Sequence, residues 1–311
     1  MSQYSKPCGY VFPGQGSQSV GMGLELCNAS QAAREVFQEA DDSLGFPLSL
    51  LIFHGPAEAL QDTINSQPAI MTVSIAAWKA WQEAVGRDAP RPVAVAGHSL
   101  GEYTSMVVAE VMDFSQGVRL VRERGRLMQE VSRSQPGAMA AILGLDEFVL
   151  EYICAETGVE LANVNSEDQI VISGDKRAIA RAIDWALIRG AKRAIPLPVS
   201  GAFHSSLMHQ AQHGLAEAIA ELDFHDPQIP IVANSTALSM TTSAQVQEEV
   251  IAGLCRCVRW KSSVEYMVAS GVSRFVEFGP GRVLSSLIKR IDRGVEAITI
   301  SDPQSMREFV P

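Results

Sequence analysis

The segment VAVAGHSLGEYTSMVVAEV, residues 93–111, limits the possible folds more than any other stretch of the chain. A run of small apolar residues ends at Gly97, presents His98 and Ser99, and resumes after Gly101 with helical spacing. A strand leading straight into a helix, with glycines flanking one serine, is the G-x-S-x-G elbow. The sharp turn needs small neighbours, because a side chain at 97 or 101 would strike the adjoining strand or helix. The serine then projects from the tip, above a helix N-terminus whose free N–H groups suit a developing oxyanion. The same five residues also read as an ordinary glycine-rich turn with an idle serine; the strand before and the helix after favour a nucleophile.

The elbow is one instance of an alternation that runs along the chain. Short apolar runs ("GYVF", "VAVAG") are followed by helix-period segments near 22–40 and 101–111, with further helices over 67–85 and 115–132. That order predicts an α/β fold, a parallel sheet covered by helices. Near 135 the rhythm changes to strand GAMAAILG, helix DEFVLEYICAET, strands VELANVNS and QIVISG, helix DKRAIARAIDWALIRG and strand AKRAIPLPV. β-α-β-β-α-β is the ferredoxin-like signature, so 135–198 reads as a small subdomain inserted into a catalytic domain made of 1–134 and 199–311. Beyond it come a helix near 205–221, strand IPIVAN, helices near 243–254 and 261–270, and strand RFVEFG.

Composition excludes several classes. With a net charge of −10 over 311 residues, the chain has no general attraction for nucleic acid. The cysteines, 8, 27, 154, 255 and 257, are odd in number and form no CxxC pair, which points to free thiols in a reducing compartment. Cys255-x-Cys257 could be redox active, but buried or idle thiols are the simpler reading. The start, MSQYSKPCGYVFPG, has no basic region leading into a long apolar run, and no window is apolar enough to span a membrane. A cytoplasmic monomer is expected.

A serine hydroxyl needs a base. Among the six histidines, His98 adjoins Ser99 and is expected to point the other way. His204, in SGAFHSSLM, lies in a loop before a helix and leads the candidates. His209 and His213, four apart, could pair on a metal, but no third ligand is evident and no metal is expected. The glycine-rich FPGQGSQSVGMG fits no phosphate-loop pattern; it is either a plain strand-to-helix turn or the second half of an oxyanion hole. In RLVRERGRLMQ, Arg122 and Arg126 share a face while Arg124 points elsewhere. An arginine off the polar face must meet an anion or carbonyls inside, which makes Arg124 a candidate carboxylate clamp.

These residues fall in a known order. FPGQGSQ, GHSLGEY, RGRLMQ, GAMAAILG, NVNS, VISG, KRAIPLPVSGAFH, VEYM and EFGPGRVLSSLIKR together resemble malonyl-CoA:acyl-carrier-protein transacylases, and the related acyltransferase domains of polyketide synthases, over nearly the whole chain. The resemblance implies an α/β-hydrolase-like domain with an inserted ferredoxin-like subdomain. It implies Ser99 as nucleophile, His204 as base, the N–H groups of Gln15 and Leu100 as oxyanion hole, and Arg124 as the malonyl carboxylate's partner. Gln67 and Phe203 would shape the acyl pocket, Phe203 by crowding the α-carbon. Asn163, Asn165, Lys192 and Arg193 would lie along the pantetheine arm or its phosphates. No cofactor is implied; the partners are malonyl-CoA and an acyl carrier protein. Since carrier proteins are usually acidic, docking needs a local basic patch, with Lys176, Arg177, Arg181, Lys192 and Arg193 or Arg282, Lys289, Arg290 and Arg293 as candidates.

One departure concerns the base. The family often has Gln-Leu-x-x-Pro-Val-x-Trp where this chain reads Gly253-Leu254-Cys255-Arg256-Cys257-Val258-Arg259-Trp260. If a backbone carbonyl orients the histidine, a glycine supplies it equally well; if a side chain does, the base is less well held. Other readings of the same residues are a stand-alone polyketide acyltransferase, an acyl hydrolase, and an inactive carrier-binding module.

Overall fold

The computed structural model describes residues 6–86, 89–199 and 201–309; Met1–Ser5, part of the start read for a leader, lie outside them. The ten strands are β1 Cys8–Phe12, β2 Ala94–Gly97, β3 Gly137–Leu143, β4 Glu160–Ser166, β5 Gln169–Asp175, β6 Arg193–Pro196, β7 Ile231–Val232, β8 Ser239–Met240, β9 Arg274–Phe278 and β10 Glu296–Ile300 among the described residues. They form a six-stranded sheet in the order β10-β9-β1-β2-β7-β8 and a four-stranded sheet in the order β4-β5-β3-β6.

In the larger sheet every pair is parallel except β7–β8. Every residue of β1, β2 and β9 is buried. That continuous burial is what helices on both faces of a parallel sheet impose. From β1 the chain builds outward in both directions, to β2 and β7 on one side and to β9 and β10 on the other. Open sheets of this kind bind ligands at the carboxyl ends of the strands where the order reverses. Phe12 pairs with Gly97 at those ends, so the loop after β1 and the elbow after β2 emerge side by side.

The small sheet is antiparallel throughout, and its helices Glu147–Thr157 and Lys176–Ile188 share one apolar cluster with it. The expected β-α-β-β-α-β order appears with a ferredoxin-like strand arrangement. Its edge strand β4 grips the larger unit: Asn163 bridges Val258, Val164 N–H donates to Val258 O, and Val258 N–H donates to Ala162 O.

Some expectations needed revision. The helix read near 22–40 is two helices, Leu24–Ala29 and Gln31–Leu44. Ser30 sits extended between them and its hydroxyl caps Ala33 N–H. A serine's side chain competes for local backbone groups and suits a cap better than a helix interior. The helix near 205–221 starts with a single 3₁₀ turn, Ser206–Met208, before His209–Ala220. Strand β10 was not anticipated; as an edge strand it buries only Ile300 fully and shows no clear alternation.

Candidate active site

The elbow is as tight as the glycines required. A Cβ on Gly97 would lie 1.8 Å from the carbonyl carbon of Gly101, and one on Gly101 would lie 2.0 Å from Phe12 O. Between them Ser99 takes φ 51°, ψ −103°, a conformation that costs about 1–3 kcal/mol unless its surroundings enforce it. Asn234 enforces it. Its Oδ1 accepts Ser99 N–H (2.7 Å), and its Nδ2 donates to Gly97 O (2.7 Å) and to Glu102 Oε1 (3.0 Å). Glu102 also accepts Asn234 N–H (2.9 Å). Burial, reinforced by the charge of neighbouring Glu249, pushes the Glu102 carboxyl well above the usual range. Sequence reasoning passed over both residues: Asn234 merely ends IPIVAN, and Glu102 reads as an ordinary helix residue.

His204 also has a positive φ, 57°, and is buried. Its Nε2 lies 2.8 Å from Ser99 Oγ, and its Nδ1 lies 2.9 Å from Gly253 O and 3.1 Å from Arg256 O. Carbonyls only accept, so the ring proton sits on Nδ1 and the Nε2 lone pair faces the serine hydroxyl. Burial, and after it the positive charge of Arg124, push the imidazole down to about 3, so it is neutral at neutral pH. Two backbone carbonyls orient the imidazole, and the glycine at 253 fills that role without a side chain. The segment 253–258 is itself held by strand β4 of the small sheet through Val258.

Arg124 comes from the middle of helix Phe114–Ser134 and is 3% exposed. It donates from one terminal nitrogen to Gln67 Oε1 (2.6 Å) and from the other to Ser99 Oγ (3.1 Å). Its Nε is buried without a partner among the described residues. The neighbouring glycine places it: a Cβ on Gly125 would lie 2.6 Å from Thr63 O, so this helix and Thr63–Val85 touch backbone to backbone. Arg122 and Arg126 stay on the outer face, Arg122 stacked on Phe46 and Arg126 paired with Glu123 and Glu130.

A cavity of about 370 Å³ opens over Ser99, lined by Gln15, His98, Met128, Met139, Asn163, Phe203 and His204 among others. Among the described residues neither Gln15 N–H nor Leu100 N–H has an acceptor. Gln67 is fully buried behind Arg124. His98, expected to turn away, borders the cavity, but its Nε2 meets Asn165 Oδ1 (2.8 Å) rather than Ser99. Lys192 and Arg193 are exposed and line no part of this cavity; the Lys192 stem covers Gly144, and Arg193 pairs with Leu143 in the sheet. His209 bonds to Gln212 and His213 lies 3.8 Å from Glu217, both on an exposed helix face.

A larger hollow, about 850 Å³, lies beside helix Val283–Ile291 and β10, and shares no lining residue with the cavity over Ser99. The five cysteines are free, and burial pushes Cys255 and Cys257 up to about 11. Among the described residues no group of three or more His, Cys, Asp or Glu side chains is placed to hold a metal, and no helix is long and apolar enough to cross a membrane.

Ser99, His204 and Arg124 thus meet on one oxygen. Such a site can acylate a serine and prefer an acyl group that ends in a carboxylate. Comparison with known proteins points the same way. The family model described as "Acyl transferase domain" matches residues 9–301. The malonyl CoA-acyl carrier protein transacylase of Bacillus subtilis is 44% identical over 302 residues, 96% of this chain and 94% of that protein. The crystal structure of an acyl carrier protein S-malonyltransferase from Vibrio cholerae superposes with a TM-score of 0.94 at 41% identity, covering 97% of this chain and 99% of that one. A malonyl-transacylase solved in complex with a type II polyketide synthase acyl-carrier protein gives a TM-score of 0.94 at 40% identity, covering 98% and 99%.

Proposed function

The chain belongs to the acyl transferase family, among the malonyl-CoA:acyl-carrier-protein transacylases, and from that premise we propose how its residues carry malonyl transfer. Ser99 Oγ attacks the thioester carbonyl of malonyl-CoA while His204 Nε2 takes its proton. The oxyanion is held by the N–H groups of Gln15 and Leu100, a contribution of about 3 kcal/mol per donor in comparable sites. The C–S bond then breaks, the CoA sulfur takes the proton from His204, and a malonyl ester remains on Ser99. In the second half the phosphopantetheine thiol of a carrier protein gives its proton to His204 and attacks that ester. Ser99 leaves and recovers the proton. Arg124 binds the malonyl carboxylate through its free N–H groups, the otherwise orphaned Nε among them.

The observation that carries this reading is the 2.8 Å contact of Ser99 Oγ with His204 Nε2 while Arg124 touches the same oxygen at 3.1 Å. Residues 1–134 and 199–311 act as the catalytic domain and 135–198 as the inserted subdomain that walls the cleft. Asn163 borders the cavity and Asn165 holds His98 at its wall, which supports contacts with the pantetheine arm. Lys192 and Arg193 stand further out and suit the carrier's acidic surface better than the acyl site. We read the protein as a cytoplasmic monomer that needs no metal or cofactor. A polyketide client would leave the chemistry unchanged and alter only the carrier.

Mass spectrometry of the intact protein tests the reading. Malonyl-CoA should add one malonyl group at Ser99, and holo carrier protein should remove it with the carrier gaining the same mass. Release of free malonate in place of malonyl-carrier would instead indicate a hydrolase.

A further inference from the structure

We propose that Thr63 is a positioning residue that ties the carboxylate clamp at Arg124 to the oxyanion loop at Gln15. The inference rests on the transacylase reading and adds to it a coupling between the two halves of the site. Thr63 is the first residue of helix Thr63–Val85 and is buried. Its hydroxyl oxygen accepts from Gln67 Nε2 (2.9 Å), and its proton goes to Gln15 Oε1 (2.9 Å). Gln67 Oε1 in turn accepts from Arg124 (2.6 Å). Four side chains on three segments therefore form one unbroken line from the guanidinium to the loop after β1.

The donors of that line point one way by necessity. A guanidinium only donates, so the Gln67 oxygen must face it and the amide nitrogen must face Thr63. The threonine oxygen then accepts, and its single proton has only Gln15 to serve. Bonds aligned in this way polarise one another, by about 10–30% each. The middle of the line is the point of failure. Without the hydroxyl, among the described residues Gln67 Nε2 keeps only the Met128 sulfur at 3.3 Å and Gln15 Oε1 has no other donor. Gln15 would then be free to turn its N–H away from the cavity, and Gln67 to let the guanidinium drift. The helix crossing itself does not depend on the hydroxyl, since the Thr63 carbonyl packs on Gly125.

Thr63→Val keeps the shape of the side chain and removes the bonds. Rapid-mixing measurement of Ser99 acylation should show malonylation slowed about tenfold, the factor of one net hydrogen bond. Acetylation, which uses only the oxyanion half, should slow about threefold or less. The full-length Thr63→Ser variant should recover to within about twofold of wild type, with both variants melting near the wild-type temperature. A merely structural role would not move the malonyl-to-acetyl ratio. A valine variant that malonylates as fast as wild type, equal losses for the two acyl groups, or a serine variant no better than the valine one would each overturn the proposal. Should the valine variant not fold, Thr63→Ala is read against the same three outcomes. An unlabelled wild type would remove the transacylase reading and the coupling with it; a labelled wild type beside an unaffected valine variant would remove the coupling alone.

Discussion

Arg124→Ala separates the binding of the acyl group from its transfer. In the folded protein Arg124 is 3% exposed, two of its N–H groups are engaged by Gln67 and Ser99, and Nε has no partner among the described residues. A malonyl carboxylate would gain two charge-assisted bonds there, at about 1.5–3 kcal/mol each. At about 1.4 kcal/mol per decade, alanine should lower kcat/KM for malonyl-CoA by roughly 10²–10⁴. Acetyl-CoA has no carboxylate to lose, and the variant relieves a buried cation that acetyl leaves unpaired. Its kcat/KM should fall much less or rise, so the malonyl-to-acetyl ratio collapses.

The same substitution has a signature in pH. Burial and then Arg124 hold the His204 imidazole down at about 3. The base works only when neutral, so kcat/KM falls as pH drops through that value, and the wild-type acid limb should lie well below the ordinary histidine range near 6.5. Removing the positive charge raises the His204 pKa, so the acid limb should move to higher pH. Steady-state kinetics with both thioesters across the acid range test the two effects together. An unchanged malonyl-to-acetyl ratio would sink the clamp, and an acid limb moving to lower pH would sink the electrostatic account of the base.

Three further outcomes follow from the same contacts. His204→Ala should slow Ser99 malonylation by about 10²–10⁴ with the fold intact, read by mass spectrometry beside a melting curve. Asn234→Ala leaves Ser99 N–H and Gly97 O without their shared side-chain partner and leaves Glu102 only the backbone N–H at 234, and should cost about 2–4 kcal/mol in urea unfolding as well as activity. Lys192→Glu with Arg193→Glu should raise the apparent KM for carrier protein while leaving the first acylation step unchanged; an unaltered KM would take these two cations out of the docking surface.

Much of the site was legible because its signals are local. The glycines two positions either side of Ser99 announce a turn that only a missing Cβ permits, and the short contacts at Gly97 and Gly101 are that requirement in space. Arg124 stood out because it breaks the polar face of its own helix. The small antiparallel sheet could be read from its alternating strands and helices. His204 was weakly marked by its surroundings, and the family motif was needed to single it out. Strand β10 was missed because an edge strand need not alternate, and the break at Ser30 because a serine fits a helix period while serving better as its cap.

Local periodicity and turn chemistry, carried by neighbouring residues, determined from the sequence alone that a strand–elbow–helix would expose one serine and that a second small sheet would interrupt the first. Only the tertiary structure decided which groups surround that serine. Its partners lie 105 positions away at His204 and 135 away at Asn234. The carbonyls of Gly253 and Arg256 that aim the His204 ring belong to the backbone, which every residue has; the family motif marked their segment, but only the fold decided which of its carbonyls reach the ring.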